Sequence, residues 1–501
     1  MTSQWRLVIG SVGVAVGLMA LLHWQSRPSP PLTGADRKPL LLFCAAGIRP
    51  AVEAVAREYE QTFGVRVQLQ YGGSGALLSN LRIVRTGDLF LAADESYIKS
   101  ARDLGLLAET VALARQRPVI AVARGNPKAV RTLDDLCRAD VRVALTSPDA
   151  TSVGRTVRTL LQPTGQWAAL EKHVTVFKPT VNEVANDLKI GAVDAGIIWD
   201  ATARQYPELE LVTVPLFDPA AELISIGVLN SSTQPAAALR FARYLGAPDK
   251  GLKQFQQFYY EPVAGDPWAE SPEIVLFSGA MLRPGMEQTL KEFEQREGCR
   301  ISTVYNGCGV LVAQMRAGQR PDAYFSCDTS FMKSVADLYL DPVDVVDNQL
   351  MIVLQKGNPQ GIHTAQDLAR PGLRVGLPHH EKSAMGHIAW KMLVQMNLYD
   401  SLSQNLKVES PTGDFLINQL RTGSLDAIIA CRSNWTGVRE HLDAIPIDQP
   451  LARMTQPYAV GHATRYQRMM ARLQDALTTA ASRARFEAEG FGWRYQPGSV
   501  P

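Results

Sequence analysis

The chain has 501 residues, 46% of them hydrophobic and 20% charged, with a formal net charge of +2. That length holds two to four domains with ordinary cores, and the composition is that of a globular protein. With so small a net charge and no basic run, nothing points to nucleic acid or an acidic polymer as a partner.

The N-terminus carries a localisation signal. Leu7 to Leu22 is an apolar run interrupted only by Gly10, Ser11, Gly13 and Gly17. It is short for a full membrane span and suits an export signal. No convincing small-x-small cleavage site follows it. Residues 1–25 are therefore expected to form an uncleaved signal-anchor, with a cleaved signal peptide as the alternative. The Pro- and Ser-rich stretch 26–38 reads as an extended linker. Both readings put the globular part outside the cytoplasm, in the periplasm, and the uncleaved segment would tether it to the inner membrane.

Leu40 to Ala45 has the pattern of a short buried strand. Pro50 then opens a helix with Val52, Val55, Tyr59 and Phe63 at 3–4 spacing, and Gly64 is placed to stop it. Val65 to Tyr71 reads as a strand, Ala76 to Arg85 as a helix and Asp88 to Ala92 as a third strand. Strand, helix, strand, turn, helix, strand at this spacing is βαβ arithmetic and predicts a mainly parallel sheet covered by helices. A second segment starts near Val119 and includes a strand at Val141 to Leu145 and a run Asp194-Ala195-Gly196-Ile197-Ile198. The chain is expected to return near Pro215 and to close with a helix over Ala236 to Leu245.

The same text is then written again. Phe43 to Asp94 aligns without a gap on Phe277 to Asp328, with 17 of 52 positions identical. Gly125-Asn126-Pro127 recurs as Gly357-Asn358-Pro359, and Asp194 to Ile198 aligns with Asp426 to Ala430. A period this long is a duplicated domain and not a solenoid. The expected fold class is α/β, two tandem bilobed modules with mainly parallel-sheet lobes. The first spans 39–261 with its second lobe over 119–214, a linker runs over 262–272, and the second module spans 273–495 with its second lobe over 351–447. Met470 to Glu489 is expected to close the second module as a helix.

The functional signal is the glycine-rich turn Tyr71-Gly72-Gly73-Ser74-Gly75. Several glycines let backbone approach a ligand closely, and unpaired N–H groups at a helix start favour an anion. Ser74 adds a hydroxyl. Ala46-Gly47, Ser152-Val153-Gly154 and Thr180-Val181-Asn182 are further small-residue helix starts. In an open parallel sheet such starts gather at the carboxyl ends of strands, where ligands bind.

The run from Leu41 through Asp94, then Gly125-Asn126-Pro127 and then Gly191 to Trp199, resembles the periplasmic molybdate-binding proteins of ABC importers. The resemblance implies a two-lobed fold that captures a tetrahedral oxyanion in its cleft with hydroxyls and backbone amides, and an ABC permease as partner. Carried over by position, the binding set is Gly47, Ser74, Val153, Val181 and Trp199. Two family hydroxyls are replaced, by Gly47 and by Trp199, whose indole N–H can donate but not accept.

In the second copy the same positions read Met281, Cys308, Met385, Gly413 and Cys431, with Cys327 on the neighbouring strand end. Soft sulfur ligands suit Cu(I) rather than a hard oxyanion, so Cys308, Cys431, Met281 and Met385 are soft-metal candidates. A disulfide between Cys308 and Cys431 that locks the lobes together, or a cleft that binds nothing, are the alternatives. No cofactor is expected, and no nucleophile–base set or phosphate-loop lysine suggests an enzyme. The expected function is extracytoplasmic capture of a small anion for an importer. The alternative is a membrane-anchored sensor or scaffold with a thiol- or metal-binding second cleft.

Overall fold

The computed structural model describes residues 38–496. The apolar N-terminal run and most of the first linker lie outside the described residues, and among those described no helix is long and apolar enough to cross a membrane.

The helix Arg49–Phe63 forms as its pattern dictates. Pro50 occupies its first turn, and Val52, Val55, Ala56 and Tyr59 are buried on one face. Gly64 ends it in the left-handed region at φ 65°, where a β-carbon would be strained. The copy, Arg283–Glu297, ends on Gly298 at the same φ of 65°. The repeated Gly-Asn-Pro turn has a similar explanation. Asn126 and Asn358 adopt φ 44° and 47°, and each side-chain Oδ1 accepts from an amide four residues on, Val130 and Ile362, both at 2.9 Å. Asparagine tolerates this backbone because its short amide can bond locally.

In the first module one sheet has the strand order Glu261–Pro262, Leu107–Gln116, Glu222–Leu229, Leu89–Ala92, Leu40–Ala45, Val67–Gly72. Its last three strands are parallel, as βαβ units require. Leu107–Gln116 and Glu222–Leu229 pair antiparallel and carry the chain to and from the second lobe. That lobe has a five-stranded sheet in the order Val174–Lys178, Val143–Thr146, Ala195–Trp199, Pro118–Ala123, Leu209–Val212. Separate apolar cores fill the two lobes.

The second module differs at the crossing. A single 13-residue strand, Val343–Gln355, runs through both lobes and merges their strands into one 10-stranded sheet. The first module breaks the same run between Gln116 and Pro118. Pro118 has no N–H and fixes its φ, whereas its counterpart Leu350 sits in an unbroken ladder. The second module's closing segment is also two helices, Gln467–Leu477 and Ala480–Ala488, where the sequence pattern suggested one. Thr479 interrupts it by capping the second helix through the amide of Ser482.

The connection between modules is packed rather than loose. Trp268 lies against Tyr244, with ring centroids 4.9 Å apart. Asp266 caps the helix Gln467–Leu477 by accepting from the amides of Arg468 and Met469 at 2.9 and 2.8 Å. Glu297, 2% exposed, receives the Arg472 guanidinium at 2.5 and 3.0 Å, with Arg243 beside it. Arg296 forks onto Glu109 of the first module, both contacts 2.7 Å. Removing one member of a buried charge set strands the others away from water. Glu297→Ala is therefore expected to lower the stability of the second module by about 3–5 kcal/mol in urea unfolding. A loss under about 1 kcal/mol would mean that these charges are solvated.

Candidate functional site

Two clefts lie between paired lobes. The first is lined by residues from both sides: Ala46, Gly47, Gly73 and Ser74 from the first lobe, and Thr151, Ser152, Thr180, Val181 and Trp199 from the second. It encloses a cavity of about 20 Å³, and none of its lining residues carries a charge. Four of the five residues inferred from sequence (Gly47, Ser74, Val181 and Trp199) meet there. Val153 does not present its side chain to it. That side chain packs in the second-lobe core with Leu145, Val157, Trp167 and Ile197, so only its backbone amide lies at the helix start.

Glycines set how closely the lobes approach. A β-carbon on Gly47 would sit 2.8 Å from Val181 Cγ2, 3.2 Å from Thr202 Oγ1 and 3.9 Å from Trp199 Cδ1. Gly73 has the carbonyl oxygens of Ala150 and Pro179 against it, and Gly75 faces Asp149 and Ala150. The amides of Gly75 and Ala76, in the first turn of the helix Ser74–Val84, donate to the Ala150 carbonyl at 3.0 and 3.3 Å. The lobes are therefore in direct contact. Two of the amides that sequence reasoning assigns to a ligand are instead used to hold them together.

The remaining donors are well ordered. Ser74 Oγ accepts from the Ala93 amide at 3.1 Å and from the Ser152 hydroxyl at 2.9 Å. Its single proton is left to donate. Thr151 and Thr180 cap the helices Ser152–Leu161 and Val181–Lys189 by accepting from Gly154 and Glu183. The amides of Ser152, Val153, Val181 and Asn182 precede the first bond of those helices and keep their donor capacity. Tyr260 donates to the Gly47 carbonyl at 2.7 Å, fixing that turn, and burial pushes its phenol well above the ordinary range. Further bonds span the lobes at the rim, from Arg155 to Ser96 at 3.2 Å and from Thr156 to Glu222 at 3.1 Å.

Thr151 lines the cleft and was not named from sequence, Ser152 and Thr180 were named only as parts of helix starts, and Thr202 lies fully buried beneath Gly47 rather than in the lining. The signal was there for Thr180, whose Thr-x-x-Glu spacing to Glu183 is a helix-start signature. Thr202 had none, because only the fold brings it under Gly47.

The second cleft is lined by Met281, Asn306, Gly307, Cys327, Ser383, Met385, Thr412, Gly413, Asp414 and Asn434, among others, and also encloses about 20 Å³. Met281, Met385 and Gly413 fall where the sequence put them. The Cys308–Cys431 bridge is not formed. Cys308 is joined to Cys327 instead, and both belong to the first lobe, so the bond does not lock the lobes together. The parallel pairing of Glu273–Gly279 with Ala323–Phe325 brings the strand end at Cys327 to the helix start at Cys308. Cys431 is fully buried beside Met454, with sulfurs 3.4 Å apart, and is not part of the lining. Burial pushes its thiol well up, which suits an inert core residue rather than a ligand. Asp414 and Asn434 were missed: both come from the second lobe, and Asn434 Nδ2 donates to Asp414 Oδ1 at 2.9 Å.

Two aspartates recur in both copies, Asp88 as Asp322 and Asp94 as Asp328, and all four are structural. Asp94 and Asp328 accept from the amides of Tyr97 and Ser330 as helix caps. Asp88 and Asp322 tie down the amides of Leu41 and Val275 at 2.9 and 2.8 Å.

The lobed architecture, the duplication and the hydroxyl-and-amide cleft together define a solute-binding protein. The sequence matches the profile of the family described as bacterial extracellular solute-binding protein twice, over residues 40–261 and 274–492. The chain belongs to that family, as a tandem pair of modules. It is 28% identical over 217 residues to a Haemophilus influenzae chain named as a binding protein, covering 43% of this chain and 88% of that one. It is 29% identical over 227 residues to the molybdate-binding protein ModA of Mycobacterium bovis, covering 44% of this chain and 84% of that one. Among solved structures, the periplasmic molybdate-binding protein of Azotobacter vinelandii aligns at 16% identity with a TM-score of 0.39, over 44% of this chain and 98% of that one.

The lobe contact generates a direct expectation. Gly73→Ala places a methyl group against the Ala150 carbonyl, a backbone atom that cannot swing away. Small-angle scattering should show a larger radius of gyration for this variant than for the parent chain. An unchanged radius would mean that the lobes close without the glycine contact.

Proposed function

We propose that the first module captures a small oxyanion of the molybdate class and presents it to an ABC permease. The apolar N-terminal run holds the chain to the outer face of the inner membrane. The observation that carries this reading is the character of the first cleft. Ser74, Thr151, Ser152 and Thr180 supply hydroxyls, the starts of two helices supply amides, and no charged side chain lines it. Neutral donors at helix starts stabilise a fully ionised anion through charge-assisted hydrogen bonds and the helix dipole. They offer no counter-charge to hold other ligands. The curated relative named for molybdate supports the same ligand class.

The role of each residue follows. Ser74 donates its free proton, Val153 and Val181 donate through the backbone, and Gly47 admits the anion by leaving room. Trp199 closes the floor with a side chain 2% exposed. Ligand release requires the lobes to part by a hinge at the paired crossing strands, where Pro118 interrupts the ladder. The second module does not share this role, since a disulfide stands where the Ser74 hydroxyl stands and the carboxylate of Asp414 lines the cleft.

Calorimetry of the full chain against molybdate, tungstate, sulfate and phosphate tests the reading. One anion per chain should bind, and Ser74→Ala should weaken it roughly ten- to a hundredfold, the worth of one hydrogen bond to a charged group. Ser383→Ala, in the second cleft, should leave the affinity unchanged. Two anions per chain, or none from this panel, would contradict it.

A further inference from the structure

We propose that the second cleft, once its disulfide is reduced, binds a soft monovalent cation of the Cu(I) type through Cys308, Cys327, Met281 and Met385. The inference does not rest on the oxyanion reading of the first cleft.

Sulfur is concentrated here and absent from the equivalent place. Met281, Cys308, Cys327 and Met385 occupy the positions of Gly47, Ser74, Ala93 and Val153, none of which carries sulfur. Met281, Cys327 and Met385 line one cavity, and Cys308 is bonded to Cys327 at its edge. Three of the sulfurs come from the first lobe and Met385 from the second, so a bound ion would bridge the lobes as a solute does. Thiolates and thioethers are the donor set that selects Cu(I).

The surroundings favour a thiolate and a cation. Cys308 opens the nine-residue helix Cys308–Arg316, and its sulfur accepts from the Cys327 amide at 3.0 Å. Both contacts stabilise negative charge on sulfur once the bridge is open. Asp414 adds a carboxylate at the cleft, attractive to a cation and unfavourable to an anion. In the first module the equivalent residue is the neutral Asn182.

Reduction must come first. A dithiol of the exported compartment can supply it. Its thiolate attacks one sulfur of the bridge, its second thiol resolves the mixed disulfide, and the reductant leaves as a disulfide while Cys308 and Cys327 become thiols. Cu(I) then binds with loss of the thiol protons to water, and no further electron is transferred. The bridged form lacks both thiolates, so the cleft is redox-gated.

The test uses the full chain, reduced with a phosphine under nitrogen and titrated with Cu(I) from a bicinchoninate complex. The reduced chain should take up one Cu(I) per molecule with a rise in thiolate-to-copper ultraviolet absorbance, and the oxidised chain none. Cys308→Ser with Cys327→Ser should abolish uptake. Met385→Leu, a volume-conserving change that keeps the fold, should weaken it about tenfold or more. Equal uptake by oxidised and reduced chains would overturn the proposal. So would uptake retained in the double serine variant, where only Cys44, Cys137, Cys299 and Cys431 remain. If the serine variant does not fold, unchanged affinity in both Met385→Leu and Met281→Leu would overturn it instead.

Discussion

Closure of the first cleft depends on a contact that only glycine permits. The turn at Gly73 to Gly75 brings its helix start against the Ala150 carbonyl, and Gly47 brings another against Val181. Any side chain at these points would hold the lobes apart and leave the hydroxyls of Ser74 and Ser152 too far from each other to bond. The hydrogen bonds between lobes are few and partly solvated, each worth on the order of 1 kcal/mol. A closed form held so lightly can reopen, which a protein that must release its solute requires.

Duplication kept the scaffold and changed the cleft. Both copies retain the aspartate that ties down the first strand, the asparagine turn, and the ion pair at the starts of two paired parallel strands of the second lobe, Arg142–Asp194 and Arg374–Asp426. These groups solve backbone problems that are the same in both copies. The cleft-lining residues differ instead: Cys308 stands for Ser74, Met281 for Gly47 and Asp414 for Asn182. The proposed difference between the clefts, anion chemistry in the first and cation chemistry in the second, therefore needs no change of fold.

Much of this was legible in the residues. The repeated block from Phe43 and the Gly-Asn-Pro turns reveal the duplication because identical backbone geometry demands identical residues. The helix starts at Ser74 and Val181 are legible because small residues and capping threonines mark them. The crossing strand Val343–Gln355 was not, since its continuity depends on Leu350 standing where proline stands in the first copy. Nor was the Cys308–Cys327 bond. The two cysteines are 19 positions apart in sequence, and they become neighbours only because the strands that precede them both pair in parallel with Glu273–Gly279. Asn434 escaped notice for the same reason: it reaches its cleft through tertiary packing against Gly413.

The buried charges around Glu297 and the packed Trp268 hold the two modules together, so both clefts belong to one body. The most direct test of the account is a crystal of the full chain soaked in tungstate, with the metal located by its anomalous scattering. The expected result is one strong peak in the first cleft, within hydrogen-bond reach of Ser74 and the amides of Val153 and Val181. A peak in the second cleft, or on the surface alone, would contradict it.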